Sequence, residues 1–150
     1  MRNRILMSFA ASAFLLMMGS AAAYAQVSDP MVAKIPFKFT VENTTLPAGT
    51  YVISSPATSD SNMLAIRQEN GDLSVLFLTE SVDAPEGRSV PKTELVFDRV
   101  GTHDFLRQVW ESGNAQGEEL PKPKQETRLE QTAGKAQQHR LEATPRKAGK

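Results

Sequence analysis

Large apolar side chains occupy every second position of the segment 35–41. The four positions are Ile35, Phe37, Phe39 and Val41. A period of two is typical of a β-strand with one buried face. Pro36 has no backbone N–H for a neighbouring strand, so we expect this strand to lie at a sheet edge or to enter the sheet there.

No ten-residue window from Val32 to Gly117 has a clean helical period. Glycine, proline and asparagine instead divide this stretch into short runs. One turn, Pro47-Ala48-Gly49, leads directly into the β-rich run Tyr51-Val52-Ile53. The sequence therefore predicts an all-β fold, a small antiparallel β-sandwich or barrel of about six to eight strands.

Asn70-Gly71 is the best local hairpin signal. The β-rich runs Met63–Glu69 and Asp72–Thr79 flank it. Both turn residues tolerate the positive φ that a two-residue type I′ turn requires. The pairs expected from such a turn are Met63–Leu78, Leu64–Phe77, Ala65–Leu76, Ile66–Val75, Arg67–Ser74 and Gln68–Leu73.

The end of this hairpin far from the turn is apolar on both faces. One face carries Leu64, Ile66, Val75 and Phe77, and the other carries Met63, Ala65, Leu76 and Leu78. We expect the first set to face the main core. The second set also needs cover, because bare large apolar side chains form an adhesive patch. We expect cover from within the chain, by the first strand or by residues 81–92, with a second copy or an outside partner as alternatives.

A second hairpin is expected around Gly101, between Thr93–Val100 and Asp104–Trp110. Two registers stay open at this stage. A tight turn at Gly101-Thr102 pairs Phe97 with Leu106 and Arg99 with Asp104. A four-residue loop instead pairs Val96 with Val109 and Asp98 with Arg107.

The first 25 residues have the pattern of a cleavable export signal. Arg2 and Arg4 precede the apolar run Ile5–Met18, and Ala23-Tyr24-Ala25 supplies the small residues that a signal peptidase reads. The run is shorter than the roughly 20 residues of a spanning helix, and we expect no membrane span after its removal. We therefore expect a secreted or periplasmic protein that begins near Gln26.

Charge and composition change near residue 118. Residues 26–117 carry seven basic and twelve acidic side chains, whereas residues 118–150 carry eight basic and five acidic ones. After Leu120 the only large apolar residues are Leu129 and Leu141. We therefore expect a β domain at 26–117 and a polar, charged tail at 118–150, partly disordered or with a frayed helix around 125–143. The chain has no cysteine, so the domain depends on apolar packing alone.

Histidine offers little catalytic chemistry. His103 stands in the expected turn after Gly101 and could work with Asp104 or Asp98, whereas His139 lies in the expected tail. We interpret His103 as a solvated turn residue, because no second histidine stands near it in sequence.

The sequence likewise contains little evidence for other kinds of catalytic site. A carboxylate pair for glycoside hydrolysis could come from Glu80, Asp83, Glu86, Glu94, Asp98 and Asp104. The chain has neither a Gly-x-Ser-x-Gly elbow nor a phosphate-binding glycine loop. We therefore assign no catalytic, cofactor-binding or metal-ligating residue and expect a protein that is not an enzyme.

Two groups of side chains could form a binding surface: the basic residues after residue 118, and the aromatic pair Trp110 and Tyr51. The basic residues after residue 118 are interleaved with acids and lack aromatic residues for base stacking, so we expect no nucleic-acid binding. Trp110 and Tyr51 could stack on a sugar, but Trp110 ends an apolar strand, which favours core packing.

Five segments together resemble a family of small uncharacterised secreted proteins of soil bacteria. The segments are Ile35-Pro-Phe-Lys-Phe-Thr-Val41, Thr45-Leu-Pro-Ala-Gly-Thr-Tyr51, Leu95-Val-Phe-Asp-Arg99, Phe105-Leu-Arg-Gln-Val-Trp110 and Gly117-Glu-Glu-Leu-Pro121. The resemblance spans residues 35–121. It implies a signal peptide and a compact β domain, and it implies no activity and no functional residue.

The sequence thus favours an exported, non-enzymatic β domain that acts by binding or as a component of the envelope or matrix. One alternative is a small ligand-binding barrel, which requires an internal pocket. Another is an envelope enzyme with an unrecognised carboxylate site. The partner is unknown, and self-association through an apolar β face is possible.

Overall fold

The computed structural model describes residues 29–56 and 62–146. The expected signal peptide, residues 1–25, lies outside the described residues. The described chain forms two β-sheets and one α-helix. An all-β fold is therefore confirmed, with more strands than the six to eight expected.

The smaller sheet has five strands, and every neighbouring pair is antiparallel. In order across the sheet they are β12 (Thr144–Pro145), β1 (Met31–Ile35), β4 (Gly49–Ser54), β5 (Met63–Gln68) and β6 (Ser74–Leu78). Strand β6 forms one edge of this sheet.

The larger sheet has seven strands. Five run in the order β11 (Gln137–Glu142), β8 (Glu94–Val100), β9 (His103–Trp110), β10 (Gln116–Glu119) and β7 (Glu80–Asp83). The other two form a short hairpin, β2 (Phe39–Val41) with β3 (Thr44–Leu46). Strand β2 also lies parallel to β9 at Asp104 and Phe105. A single 3₁₀ turn, Pro85–Gly87, follows β7, and helix α1 (Lys124–Ala133) lies between β10 and β11.

The two sheets enclose one shared apolar core, which gives the molecule a sandwich-like architecture. The smaller sheet contributes Met31, Ala33, Ile35, Tyr51, Ile53, Leu64, Ile66 and Phe77. The larger sheet contributes Phe39, Val41, Leu46, Leu95, Phe97, Leu106 and Val109. A small second cluster packs Trp110 against Ala84 and Val96.

The expected first strand is divided between the two sheets. Strand β1 ends at Ile35, and β2 begins at Phe39 in the other sheet. Pro36 lies in the crossing, where its missing N–H breaks no ladder. Ile35, Phe39 and Val41 are buried as expected, and Phe37 is half-buried against the core.

The β5–β6 hairpin has the expected register, because Leu64 pairs with Phe77 and Ile66 with Val75. The expected type I′ turn is wrong. Gln68 N–H donates to the Leu73 carbonyl at 2.9 Å, which closes a four-residue loop. Neither Asn70 nor Gly71 is among the described residues with positive φ.

The β8–β9 hairpin adopts the tight-turn register of the two that stayed open. Phe97 pairs with Leu106 and Arg99 with Asp104, and Gly101 has a φ of 62° in the turn. A bulge between Val96 and Phe97 then leaves Arg107 as an extra residue on β9.

The expected polar tail differs most from the structure. Strand β10 crosses the expected boundary, β11 pairs with six residues of β8, and β12 pairs with β1. The expected helix is present but shorter, as α1. Strand pairing satisfies the polar backbone of these residues, and Leu120 and Ala143 are buried in the core. A few anchors and main-chain hydrogen bonds thus order a segment without an apolar stripe.

Candidate functional site

Asp104 binds a different histidine from the one that its sequence position indicated. The Nε2 atom of His139, on β11, lies 2.7 Å from Oδ1 of Asp104. The Arg99 guanidinium donates to both oxygens of the same carboxylate, at 2.8 and 3.2 Å. His103, expected in the turn, is instead the first residue of β9, half-buried and paired with Val100. The His139 contact could not be predicted from the sequence, because it depends on the unexpected pairing of β11 with β8.

Aromatic rings surround His139. Its ring stacks on Phe97 at a centroid distance of 5.5 Å and meets the edge of Phe37 at 5.2 Å. The Arg99 guanidinium lies 5.7 Å from the centre of the Phe37 ring. These contacts reinforce the pairing of edge strand β11 with β8, which is a structural role for the histidine.

Most of the six carboxylates considered from the sequence have their own hydrogen-bond or ionic partners. Asp83 accepts from Gln116, Glu86 pairs with Arg88, and Glu94 pairs with Arg140. Glu80 is exposed on β7. Asp98 pairs with Arg107 and also lies beside Glu126, an acid that was not among the candidates.

A buried charged cluster forms around Arg107, the extra residue at the bulge of β9. The guanidinium Nε lies 3.4 Å from Oδ2 of Asp98, and an Nη donates to Oε1 of Glu119 at 3.0 Å. A second Nη donates to the backbone carbonyl of Leu120. Arg107 thus joins β8, β9 and the end of β10.

Glu126 of helix α1 completes this cluster with a fully buried side chain, 0% exposed. Lys122 Nζ lies 3.4 Å from its Oε1 but donates its hydrogen bond to Glu130, at 2.8 Å. Both carboxyl oxygens of Glu126 and Oδ1 of Asp98 are buried without a hydrogen-bond donor. Burial, together with the Asp98 carboxyl, raises the pKa of Glu126 to about 7, against the opposing charges of Arg107 and Lys122.

The outer end of the β5–β6 hairpin is a different kind of surface. Leu76 is 58% exposed and Leu78 is 56% exposed, while Met63 and Ala65 beside them are half-buried. The expected cover from residues 81–92 is wrong, because β7 pairs with β10 in the other sheet. Strand β6 has no second strand neighbour within residues 29–56 and 62–146.

The two aromatic residues considered for sugar stacking are buried. Tyr51 is inside the core, and its hydroxyl donates to the Pro47 carbonyl at 2.7 Å. Trp110 packs in the second cluster and donates from its indole nitrogen to Gln108 at 3.0 Å. Trp110 therefore has the packing role that the sequence favoured, and Tyr51 is buried as well.

A shallow polar cleft of about 320 Å³ lies near the start of helix α1. Glu42, Asn43, Pro121, Lys122, Pro123 and Lys124 line it. Across the described part of the chain, no three His, Asp or Glu side chains converge as metal ligands. The one described α-helix is also too short and too polar to cross a membrane.

Comparisons with known proteins give no relative: no protein-family model, no curated protein and no solved structure matches this chain.

Proposed function

We propose that this chain is an exported, non-enzymatic β-sandwich protein that binds an extended segment of a partner at the open edge formed by strand β6. The observation that carries the proposal is the exposure of Leu76 and Leu78 on strand β6, which has no second strand neighbour among the residues that the structure describes. Such an edge can accept another strand, with main-chain hydrogen bonds for affinity and apolar contacts beside them. The export signal at residues 1–25 supports an envelope or extracellular location.

The backbone of β6 is oriented for strand addition. Leu73 and Thr79 face β5, because the Leu73 carbonyl accepts from Gln68 and Thr79 N–H donates to the Asn62 carbonyl. By the alternation of an antiparallel ladder, the N–H groups of Ser74, Leu76 and Leu78 point to the open side. Leu78 N–H donates to the Glu42 carboxylate at 3.2 Å.

The charges at the edge favour a partner over a second copy. Asp72 and Glu80 stand at the two ends of β6, and Glu42 lies at its side. Two copies paired antiparallel along β6 would bring the acidic residues just beyond the ends of one strand near those of the other copy, and like charges repel. The edge therefore suits an extended segment with alternating apolar side chains and basic residues at its ends.

The alternatives expected from the sequence, a ligand-binding barrel and an envelope enzyme, gain no supporting observation from the described residues. The space between the sheets is occupied by the side chains of the shared core. The carboxylates considered for catalysis are largely occupied by ion pairs or hydrogen bonds.

Binding of a labelled peptide tests the edge. The probe is a peptide of alternating valine and threonine with lysine at both ends, followed by fluorescence anisotropy. We expect saturable binding, weakened at least tenfold by Leu76→Ser and also weakened when glutamate replaces the terminal lysines. The matched control is Gln137→Ser, an exposed position on the edge strand of the larger sheet, which should bind as the unchanged protein does. Absence of saturable binding would overturn the proposal.

Sedimentation of the same proteins separates a partner from a second copy. We expect the unchanged protein to sediment as a monomer. A dimer that Leu76→Ser dissociates would replace the partner with a second copy. Export is tested by intact mass of the released protein, which should begin at Gln26, and a released protein that retains residues 1–25 would contradict it.

A further inference from the structure

Helix α1 has an unusual attachment to the sandwich. Its only buried residue is Glu126, and its first turn begins after Pro123 without a side-chain cap. Leu129 is half-buried, and the helix lacks the continuous apolar stripe that holds most surface helices in place. The position of α1 therefore depends strongly on the charge of one carboxyl group.

The charged groups around Glu126 come from every element that packs against it. Strand β8 presents Asp98, β9 presents Arg107, the end of β10 presents Glu119, and the helix region adds Lys122 and Glu130. The two cations already have other partners: Arg107 donates to Glu119 and to the Leu120 carbonyl, and Lys122 donates to Glu130. In this arrangement neither carboxyl oxygen of Glu126 has a hydrogen-bond donor, and the ammonium of Lys122 lies 3.4 Å from its Oε1.

A single proton can supply the missing hydrogen-bond donor for both Glu126 and Asp98. A neutral Glu126 has an O–H that can donate to the Asp98 carboxylate, whose Oδ1 is also without a donor. Loss of that proton leaves a fully buried Glu126 carboxylate without a hydrogen-bond donor, and such a buried charge is costly. The geometry thus distinguishes a closed, protonated arrangement from an ionised one in which the helix is pushed outward.

We propose that helix α1 is a proton-dependent latch, which is closed on the bulge of strand β9 when Glu126 carries a proton and opens when Glu126 is ionised. The part that moves is the segment between β10 and β11, which stays tethered at both ends by strand pairing. An exported protein is exposed to the pH of its surroundings. The position of α1, and with it the exposure of the surface near Arg107, would therefore depend on that pH. The latch does not depend on the proposed binding edge.

The sign of the pH effect follows from the pKa of Glu126, which lies above its usual value of 4.5, at about 7. Between these two values the folded chain keeps a proton that the unfolded chain has lost. The free energy of unfolding should therefore fall as pH rises through this window, which is opposite to the usual behaviour of a paired glutamate.

Amide hydrogen exchange of the exported protein tests the latch, after correction for the intrinsic rate at each pH. We expect the protection of α1 amides to fall about thirtyfold between pH 5.5 and pH 8, because with a pKa of about 7 the ionised fraction of Glu126 rises about thirtyfold over that range. Amides of β8 should keep their protection. Glu126→Gln has an amide that can donate to Asp98 at any pH, so it should make α1 protection independent of pH. Arg128→Gln, at an exposed position two residues further along the same helix, is the matched control and should keep the dependence.

Carbon-13 titration of the glutamate carboxyls in the unchanged protein gives a second test that does not require a variant to fold. We expect one glutamate to titrate near pH 7 and to disappear from the spectrum in Glu126→Gln. The latch is overturned if Glu126 titrates as an ordinary glutamate, if α1 protection in the unchanged protein is independent of pH, or if Glu126→Gln keeps the dependence.

Discussion

The two long hairpins of the molecule have similar sequence patterns but different surroundings. In the β8–β9 hairpin both strands have neighbours on their outer sides, since β11 covers β8 and both β2 and β10 cover β9. In the β5–β6 hairpin, strand β6 is an edge with Leu76 and Leu78 exposed. Apolar alternation alone therefore does not decide burial. Burial depends on the strands that pair with each hairpin, and some of these strands come from the polar C-terminal segment.

The largest expected effect is removal of the segment that covers the closed hairpin. A chain that ends at Gly117 loses β11, β12 and α1, together with the buried residues Leu120 and Ala143. Removal of a polar, partly disordered tail, as expected from the sequence, would change the free energy of unfolding by no more than about 1 kcal/mol. The structure instead predicts a loss of about 5 kcal/mol or more, comparable with the whole stability of many domains. Circular dichroism during denaturant unfolding measures it, and a truncated chain with an unchanged midpoint would show that these strands add little.

A pair of leucine truncations compares the hairpins directly. Leu106 on β9 is 1% exposed, and Leu106→Ala should cost about 2–5 kcal/mol through lost burial and a residual cavity. Leu76→Ala on the open edge should change the free energy of unfolding by less than about 0.5 kcal/mol. Leu76→Lys should likewise leave the melting temperature nearly intact. Thermal melts of dilute protein decide the matter, and equal costs at the two leucines would refute the difference in burial.

Local patterns in the sequence were enough to predict the hairpins. The β5–β6 register followed from alternating apolar residues around Asn70-Gly71, although the loop is two residues longer than expected. The polar strand β11 could not be predicted, because its residues are mostly exposed and its order comes from backbone pairing with β8. The buried cluster was missed for the same reason: Asp98 was a candidate, but its partner Glu126 lies in the segment expected to be a tail.

A close contact in the closed hairpin region gives an intermediate effect. Gly117 on β10 lies against the indole of Trp110, and a Cβ at this position would come within 2.6 Å of the ring. Gly117→Ala therefore requires the buried ring or the strand to shift, at a cost of about 1–3 kcal/mol. Denaturant unfolding measures the cost, and intrinsic fluorescence of the chain's single tryptophan should report the displaced ring. An alanine that leaves both unchanged would contradict this packing.

The smallest expected effect is at the tip of the open hairpin. Gly71 does not have positive φ, so an L-residue meets no left-handed strain there. A Cβ on Gly71 would lie 2.8 Å from Oε1 of Gln68, which is the end of a flexible side chain that can turn away. Gly71→Ala should therefore change the free energy of unfolding by less than about 0.5 kcal/mol, because reduced freedom of the unfolded chain offsets the local adjustment. A type I′ turn would instead impose a cost of about 1 kcal/mol or more on the same change. Denaturant unfolding of Gly71→Ala, measured beside Gly117→Ala, distinguishes the two turn geometries. If Gly71→Ala lowers the free energy of unfolding as much as Gly117→Ala does, the open hairpin has a two-residue type I′ turn after all.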